Sequence, residues 1–270
     1  MSKRTAIQAD CAVPVRGARL SLWPELLWAV EWAELKASPV YRGAGVARGR
    51  EEPVVVVPGF LGSDLHTGEI RRWLGRIGYS PHASGIGRNA DCPDVGLAKL
   101  EERLEEVAST SRQRVAIVGH SLGGTLGRAA AVRRPDLVSR VITLGSPLRS
   151  VRAHPLVLWI ARLLGDVTPM PSASPRRHGD HVHDGSCACD LVEALALPFP
   201  EEVNGTSIYS RRDGIVDWRS CIDASPGQNV AVSASHLGML VNRHAYAAIA
   251  TALAGTPASQ RLIETEVRAA

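Results

Sequence analysis

A glycine-rich turn at residues 119–124 constrains the fold of this chain more than any other feature. The turn, GHSLGG, directly follows the apolar run RVAIV and directly precedes the helical segment TLGRAAAVRR. A strand passes into a helix through so tight a turn only where small residues let the two backbones come close, and Gly119, Gly123 and Gly124 provide them. The turn therefore predicts a strand, a sharp corner and a helix, with Ser121 at the corner.

Strands and helices alternate on both sides of this turn. The β-branched run at residues 54–57 is typical of a parallel strand that is covered on both faces, and Pro58 ends it. Periodicity predicts helices at residues 70–77, 96–109, 121–133 and 243–253, and extended segments at residues 79–84, 114–118, 141–144, 206–210 and 229–232. Alternation of this kind indicates the α/β class, with a mostly parallel central sheet flanked by helices.

The alternation stops between Ser146 and Pro200. We therefore predict a single domain over residues 1–270 with an inserted lid or cap at residues 147–200. An apolar segment inside the insertion, residues 155–164, would form a helix whose one face carries Leu156, Trp159, Ile160 and Leu163. Such a face either roofs a binding pocket or packs on the core.

An amphipathic helix is expected near the start of the chain, at residues 22–36. Its apolar side chains recur at helical spacing, and Trp28 and Trp32 widen the apolar face. The favoured interpretation is packing on the body of the domain. The alternative is a weak contact with a membrane surface.

Charge and hydropathy exclude several classes of function. The 31 basic and 27 acidic residues give a net charge of +4, and they are scattered, which argues against nucleic-acid binding. No apolar run approaches the roughly 18 residues of a membrane-spanning helix. Asp10, Arg16 and Arg19 interrupt any secretory leader, so a cytoplasmic location is predicted, with peripheral membrane association as the alternative.

Ser121 needs a base to become a nucleophile, and that base needs a carboxylate to orient it. In this strand and helix arrangement the acid follows the serine and the histidine comes last. Asp213 lies on a loop after the strand at residues 206–210, and we prefer it to Asp217. Among nine histidines, His236 follows the last predicted strand and is the expected base.

Attack by Ser121 on a carbonyl creates an oxyanion that two N–H donors must stabilise. The amide of Leu122 is the first expected donor. The second is the amide of Phe60, with Leu61 as the runner-up, because the loop PGFLG leaves its backbone open. The phenyl ring of Phe60 would line the acyl pocket.

Four motifs in order, PGFLGSD, GHSLGG, SRRDGIVDW and SHLGM, resemble the bacterial lipase and carboxylesterase family of α/β-hydrolases over roughly residues 40–255. The resemblance implies hydrolysis of carboxylic esters through an acyl-enzyme, without a cofactor, by Ser121, Asp213 and His236. Where the lipase oxyanion motif often has His-Gly, this chain has Pro58, which argues against true triacylglycerol lipase activity.

The expected substrate is a small-molecule or lipid-like ester with an apolar acyl group of short to medium length. Its predicted contacts are Leu61, His120, Leu156, Trp159, Ile160 and Leu163. Two alternatives remain. The same triad could serve acyl transfer or the cleavage of thioesters or amides, or the fold could hold a ligand without catalysis.

The insertion contains a cluster of ligand-type side chains at residues 178–190, HGDHVHDGSCACD. Its H-x-H and C-x-C spacings do not fit a tetrahedral ion, so no metal is predicted. Free thiols are the default for the five cysteines. Because the resembled fold brings the end of the insertion near Cys221, a disulfide from Cys187 or Cys189 to Cys221 is the alternative.

Overall fold

The computed structural model of the protein describes residues 15–90, 92–148, 151–155, 189–223 and 227–255. Within these ranges a parallel sheet of six strands forms the centre, in the order β3-β2-β4-β5-β7-β8. A short parallel pair, β1 with β6, lies apart from it. The strands are β1 (Val15–Gly17), β2 (Pro53–Val57), β3 (Ser80–Ala83), β4 (Val115–His120), β5 (Val138–Leu144), β6 (Val151–Ala153), β7 (Asn204–Ser210) and β8 (Gly227–Val232).

Helices cover both faces of the sheet. They are α1 (Trp28–Ala37), α2 (Gly68–Arg76), α3 (Pro93–Ser111), α4 (Leu122–Arg133), α5 (Cys189–Ala196), α6 (Trp218–Cys221) and α7 (Arg243–Ala254). Side chains of β2 alternate between two apolar clusters, since Val55 and Val57 pack with α3, α4 and α5, whereas Val54 and Val56 pack with α1, α2 and α7. This confirms the predicted class, a parallel sheet between helical layers.

Every strand of the central sheet and each of the four helices expected in the α/β alternation appears within a few residues of its predicted bounds. The short strands β1 and β6 were not predicted, because three-residue runs carry no periodic signal. All strands of the sheet run in one direction, so their carboxyl ends share one edge. Loops that follow β2, β4, β5, β7 and β8 therefore meet at this edge.

The N-terminal helical segment is present, but the expectation that its apolar side packs on the domain is wrong. A 3-10 turn at Trp23–Leu27 leads into α1, and of this segment's apolar side chains only Leu35 is fully buried. The exposed ones include Trp23, which is 78% exposed, together with Leu26, Leu27, Trp28, Val30 and Trp32. The inner side carries Glu25 and Glu31, which accept hydrogen bonds from the domain.

The predicted cap helix, with Leu156, Trp159, Ile160 and Leu163, lies outside the described residues. The ends of the predicted insertion are described. β6 pairs with β1, and α5 places Leu191 and Ala194 in the apolar cluster beneath α3 and α4. The last part of the insertion is thus packed onto the domain, and the cap itself stays a prediction.

The cysteines differ from both expectations. Cys92 is disulfide-bonded, so the default of free thiols is wrong there. Cys221 is a free, buried thiol, so a disulfide to Cys221 is also wrong. Burial raises the pKa of the Cys221 thiol well above its usual range. Disulfides persist mainly in oxidising compartments, so the bond at Cys92 argues against the predicted cytoplasmic location. The location itself stays a prediction.

Two further expectations concern metals and membranes. In the part of the chain that the structure describes, no three His, Cys, Asp or Glu side chains gather as a metal site would require. The cluster at residues 178–188 lies outside that part. No helix within the described ranges has the length and apolar character needed to cross a membrane.

Candidate active site

Ser121 occupies the corner between β4 and α4. Its backbone has φ 51° and ψ −125°, a conformation that costs free energy for a residue with a Cβ. The N–H of Ser121 donates to the carbonyl of Leu144 at 2.8 Å, which ties the corner to the end of β5. Ser121 is partly exposed at this corner.

The corner depends on glycines, as predicted. A Cβ on Gly119 would overlap the Cα of Gly124, because β4 and α4 cross here in backbone contact. A Cβ on Gly123 would lie 2.5 Å from the carbonyl oxygen of Val57 at the end of β2. Any larger residue would push the helix from the sheet and move Ser121.

Asp213 and His236 form a buried pair at the same edge. Asp213 follows β7, His236 follows β8, and the Asp213 Oδ2 lies 2.6 Å from the His236 Nδ1. The other oxygen of Asp213 accepts the N–H groups of Ile215 at 2.9 Å and Val216 at 2.7 Å. The carboxylate is therefore fixed by its own loop, and it fixes the orientation of the imidazole.

Gly145 lies directly against the pair of Asp213 and His236. It has φ 57°, which favours glycine, and it follows directly after β5. A Cβ at this position would lie 3.1 Å from both Asp213 Oδ2 and His236 Nδ1, and 2.5 Å from the Met239 methyl group. The absence of a side chain at Gly145 lets the acid and the base meet.

His120 has a different place from the predicted substrate contact. Its side chain is 5% exposed, and its Nε2 bonds the carbonyl oxygen of His236 at 2.9 Å. The two imidazole rings lie 4.7 Å apart. Burial, and then the proximity of His236, lower the pKa of His120 to about 3. His120 is thus a neutral ring that supports the His236 loop.

The loop after β2 carries the amides of Phe60 and Leu61, the two alternatives for the second oxyanion donor. Leu61 has φ 59°, and its N–H donates to the carbonyl of Asn89 at 2.8 Å, so it is not free to bind an oxyanion. The N–H of Phe60 makes no hydrogen bond with the residues described. Leu122 opens α4, where the backbone N–H has no intrahelical acceptor. Phe60 and Leu122 thus remain the two candidate donors.

The acid loop also places Asp217. This carboxylate caps α6 by accepting the Arg219 N–H at 3.1 Å, and it contacts the Arg219 guanidinium at 3.4 Å. The carboxylate that the structure shows bonded to His236 is that of Asp213. The preference for Asp213 over Asp217 therefore agrees with the geometry.

His236 has a pKa above its usual value although it is buried. Burial alone opposes protonation and is the largest single effect, but it is outweighed by the charge of Asp213, the hydrogen bond to Asp213 and the charge of Glu25. A base so stabilised in its protonated form can take a proton from a hydroxyl and hold it.

Two residues at this edge were missed by the sequence analysis. Glu25 is 9% exposed and accepts the backbone N–H groups of Gly214, His236 and Leu237. Glu31 accepts the N–H and hydroxyl of Ser235. No pattern in the sequence predicted these contacts, because glutamates within an amphipathic segment ordinarily face water.

Known proteins share this architecture. The α/β hydrolase fold family matches residues 52–165. A carboxyl esterase of metagenomic origin superposes with a TM-score of 0.55 at 17% identity, over 93% of each chain. The chain has the α/β-hydrolase fold.

Curated relatives match the chain over shorter stretches. A triacylglycerol lipase of Burkholderia plantarii is 30% identical over 125 residues, which is 43% of this chain and 35% of the lipase. A triacylglycerol lipase of Pseudarthrobacter phenanthrenivorans is 31% identical over 107 residues, or 36% of this chain and 33% of that enzyme. The matched part of the chain thus spans about a third of the length of these relatives.

We expect Asp213→Asn to lower kcat by about ten thousand-fold, because an amide no longer holds the tautomer in which His236 acts as a base. Asp217→Asn is the matched control, since it alters a carboxylate four positions away in the same loop. Steady-state hydrolysis of p-nitrophenyl butyrate by both variants measures the difference. A larger loss from Asp217→Asn would transfer the role of the acid to Asp217.

Proposed function

We propose that this α/β-hydrolase cleaves carboxylic esters through a Ser-His-Asp triad. The observation that carries the proposal is the buried pair of Asp213 and His236, joined at 2.6 Å, at the sheet edge where Ser121 stands at a strained corner. The position of Ser121 after β4, of Asp213 after β7 and of His236 after β8 is the order in which this fold supplies nucleophile, acid and base.

The reaction begins when the Ser121 oxygen attacks the ester carbonyl and His236 takes the hydroxyl proton on Nε2. Asp213 keeps the other ring nitrogen oriented and stabilises the imidazolium. The N–H groups of Phe60 and Leu122 bind the oxyanion. His236 then protonates the leaving alcohol, and an acyl group remains on Ser121.

Water completes the cycle. His236 takes a proton from a water molecule, which attacks the acyl carbonyl, and the second oxyanion collapses to release the acid and restore the Ser121 hydroxyl. Two of the curated relatives are triacylglycerol lipases, which supports an ester as substrate. Pro58 in place of the oxyanion-motif histidine favours an esterase of smaller substrates over a true triacylglycerol lipase.

Two other outcomes use the same residues. If an alcohol or amine reached the acyl-enzyme before water, the protein would be an acyltransferase, and a thioester or amide would be cleaved by the same steps. Hydrolysis of a p-nitrophenyl ester with and without an alcohol acceptor separates hydrolase from transferase. A non-catalytic binding protein is disfavoured because all members of the triad are present.

Ser121→Ala should abolish turnover, because acylation of this hydroxyl is obligatory. Loss of a nucleophile in such a triad costs on the order of a million-fold in kcat. Labelling by a fluorophosphonate probe should occur in the wild type and disappear in the variant. Retention of more than about a tenth of the activity would exclude Ser121 as the nucleophile, and an unlabelled, folded wild type would favour a binding protein.

The proposed acyl pocket is apolar. Phe60 is half-buried beside the corner, and the predicted cap face with Trp159 would cover it. We expect kcat/KM for p-nitrophenyl esters to rise from acetate through butyrate to hexanoate or octanoate, since each buried methylene contributes about 0.8 kcal/mol. Trp159→Ala should reduce activity on hexanoate more than on acetate. A maximum at acetate, with an equal effect of Trp159→Ala on all esters, would remove this face from the site.

We also propose that the protein binds to a lipid surface and meets its substrate there. The exposed apolar side of the N-terminal helix, which we call the tryptophan face, consists of Trp23, Leu26, Leu27, Trp28, Val30 and Trp32. Indole rings favour the boundary between lipid and water. The pocket beside Leu27 and Val30 is lined by Arg212 and Arg243 and also by Glu31 and Glu34, so charges of both signs flank the face.

Vesicle sedimentation tests this contact. The wild type should bind phosphatidylcholine vesicles through its exposed indole rings, and Trp23→Ala with Trp28→Ala should abolish binding. Leu65→Ala, which removes a side chain that is 88% exposed and is not part of the tryptophan face, is the control and should bind as the wild type does. Unchanged binding by the double variant, or no binding by the wild type, would contradict the proposal, and dimerisation through the face would appear in sedimentation velocity.

A further inference from the structure

Glu25 reaches two catalytic loops at once. Its Oε1 accepts the Gly214 N–H at 3.0 Å and the His236 N–H at 2.9 Å, and its Oε2 accepts the Leu237 N–H at 2.9 Å. Gly214 directly follows the proposed acid, and His236 is the proposed base. One carboxylate therefore bridges the acid loop and the base loop from outside the pair that they form.

The N-terminal segment is packed closely against the acid loop at this bridge. A Cβ on Gly214 would collide with the carbonyl oxygen of Ser21 and lie 3.1 Å from Glu25 Oε1, so the N-terminal segment meets the acid loop in backbone contact. Glu25 is 9% exposed, and each hydrogen bond to a charged acceptor in such a setting is stronger than one between neutral groups. Removal of the carboxylate would leave three backbone N–H groups without this partner.

Glu31 provides a comparison on the same helical segment. It accepts the Ser235 N–H at 3.0 Å, the Ser235 hydroxyl at 2.6 Å and the Asn242 amide at 3.2 Å. These contacts hold the base loop alone, and none of them involves the acid loop or His236. Glu25 and Glu31 thus share chemistry and element but differ in whether they join the two loops.

We propose that Glu25 is a positioning residue of the triad, which fixes the separation of the Asp213 and His236 loops and stabilises the protonated imidazole in each half of the reaction. The proposal rests on the proposed hydrolase function. Glu25 makes no contact with the reacting atoms in this scheme, and it acts through the backbone of the loops and through its charge.

The electrostatic part of this role has a defined direction. The groups that face His236 are Asp213 from the acid loop, His120 from the corner and Glu25 from the N-terminal segment. His120 is neutral, whereas the two carboxylates raise the pKa of His236 against the effect of burial. Since the neutral imidazole is the base, kcat/KM falls as the pH drops through this pKa. Loss of the Glu25 charge lowers the pKa, so the acid limb moves to lower pH.

Three variants of the full chain test the proposal, with p-nitrophenyl butyrate as substrate from about pH 5 to pH 9. Glu25→Gln should lower kcat by between about tenfold and a hundredfold, as expected for a displaced base, and shift the acid limb of kcat/KM to lower pH. Glu31→Gln should leave the acid limb where the wild type has it. Glu25→Asp keeps the charge on a shorter side chain, so it should keep the acid limb while lowering kcat.

Fluorophosphonate labelling and near-ultraviolet circular dichroism of each variant show that the protein is folded and that Ser121 reacts. An acid limb and kcat for Glu25→Gln equal to those of the wild type would overturn the proposal, as would the same shift from Glu31→Gln. If Glu25→Gln does not fold, Glu25→Asp decides, because a shifted acid limb in that variant contradicts the charge effect. An unlabelled wild type would instead refute the hydrolase function itself.

Discussion

The backbone contact between β4 and α4 is the constraint on which the rest of the site depends. Because no side chain separates Gly119 from Gly124, the strand and the helix cross at the shortest distance that two backbones allow. The corner between them is forced into a positive φ, and it presents Ser121 at the edge of the sheet. The end of β5 is tied to this corner by the hydrogen bond from the Ser121 N–H to the Leu144 carbonyl, and Gly145 follows directly after it. The free energy stored in one residue is offset by two apolar clusters that hold the strand and helix in place.

Much of this could be predicted from the sequence, since the relevant signals are local. The β-branched run of β2 and the periodicity of α3 reflect burial against the sheet, and the glycines of the corner reflect a steric demand that few residue types meet. The order of serine, aspartate and histidine followed from the order of the strands. The pairing of Asp213 with His236 was also predictable, because a loop that leaves directly from a strand end places its first carboxylate at the sheet edge.

The remaining features depend on contacts between distant parts of the chain. Nothing near Glu25 in sequence shows that its carboxylate is buried, because its partners are backbone groups some 190 to 210 residues away. The same contacts show that the N-terminal segment turns Glu25 and Glu31, and not its apolar side, toward the domain. The disulfide at Cys92 could likewise not be predicted, because the number of cysteines does not show which of them are paired.

The anchor formed by Glu25 is directed at backbone amides and not at side chains. Evolution can therefore exchange side chains of the acid loop and the base loop without weakening this anchor, provided that both loops keep their paths. Gly214 is the exception, because the approach of the N-terminal segment leaves no room for a Cβ there. Related chains that share the anchor would then show a glutamate and a glycine that vary together across nearly two hundred positions, while the residues around each of them drift.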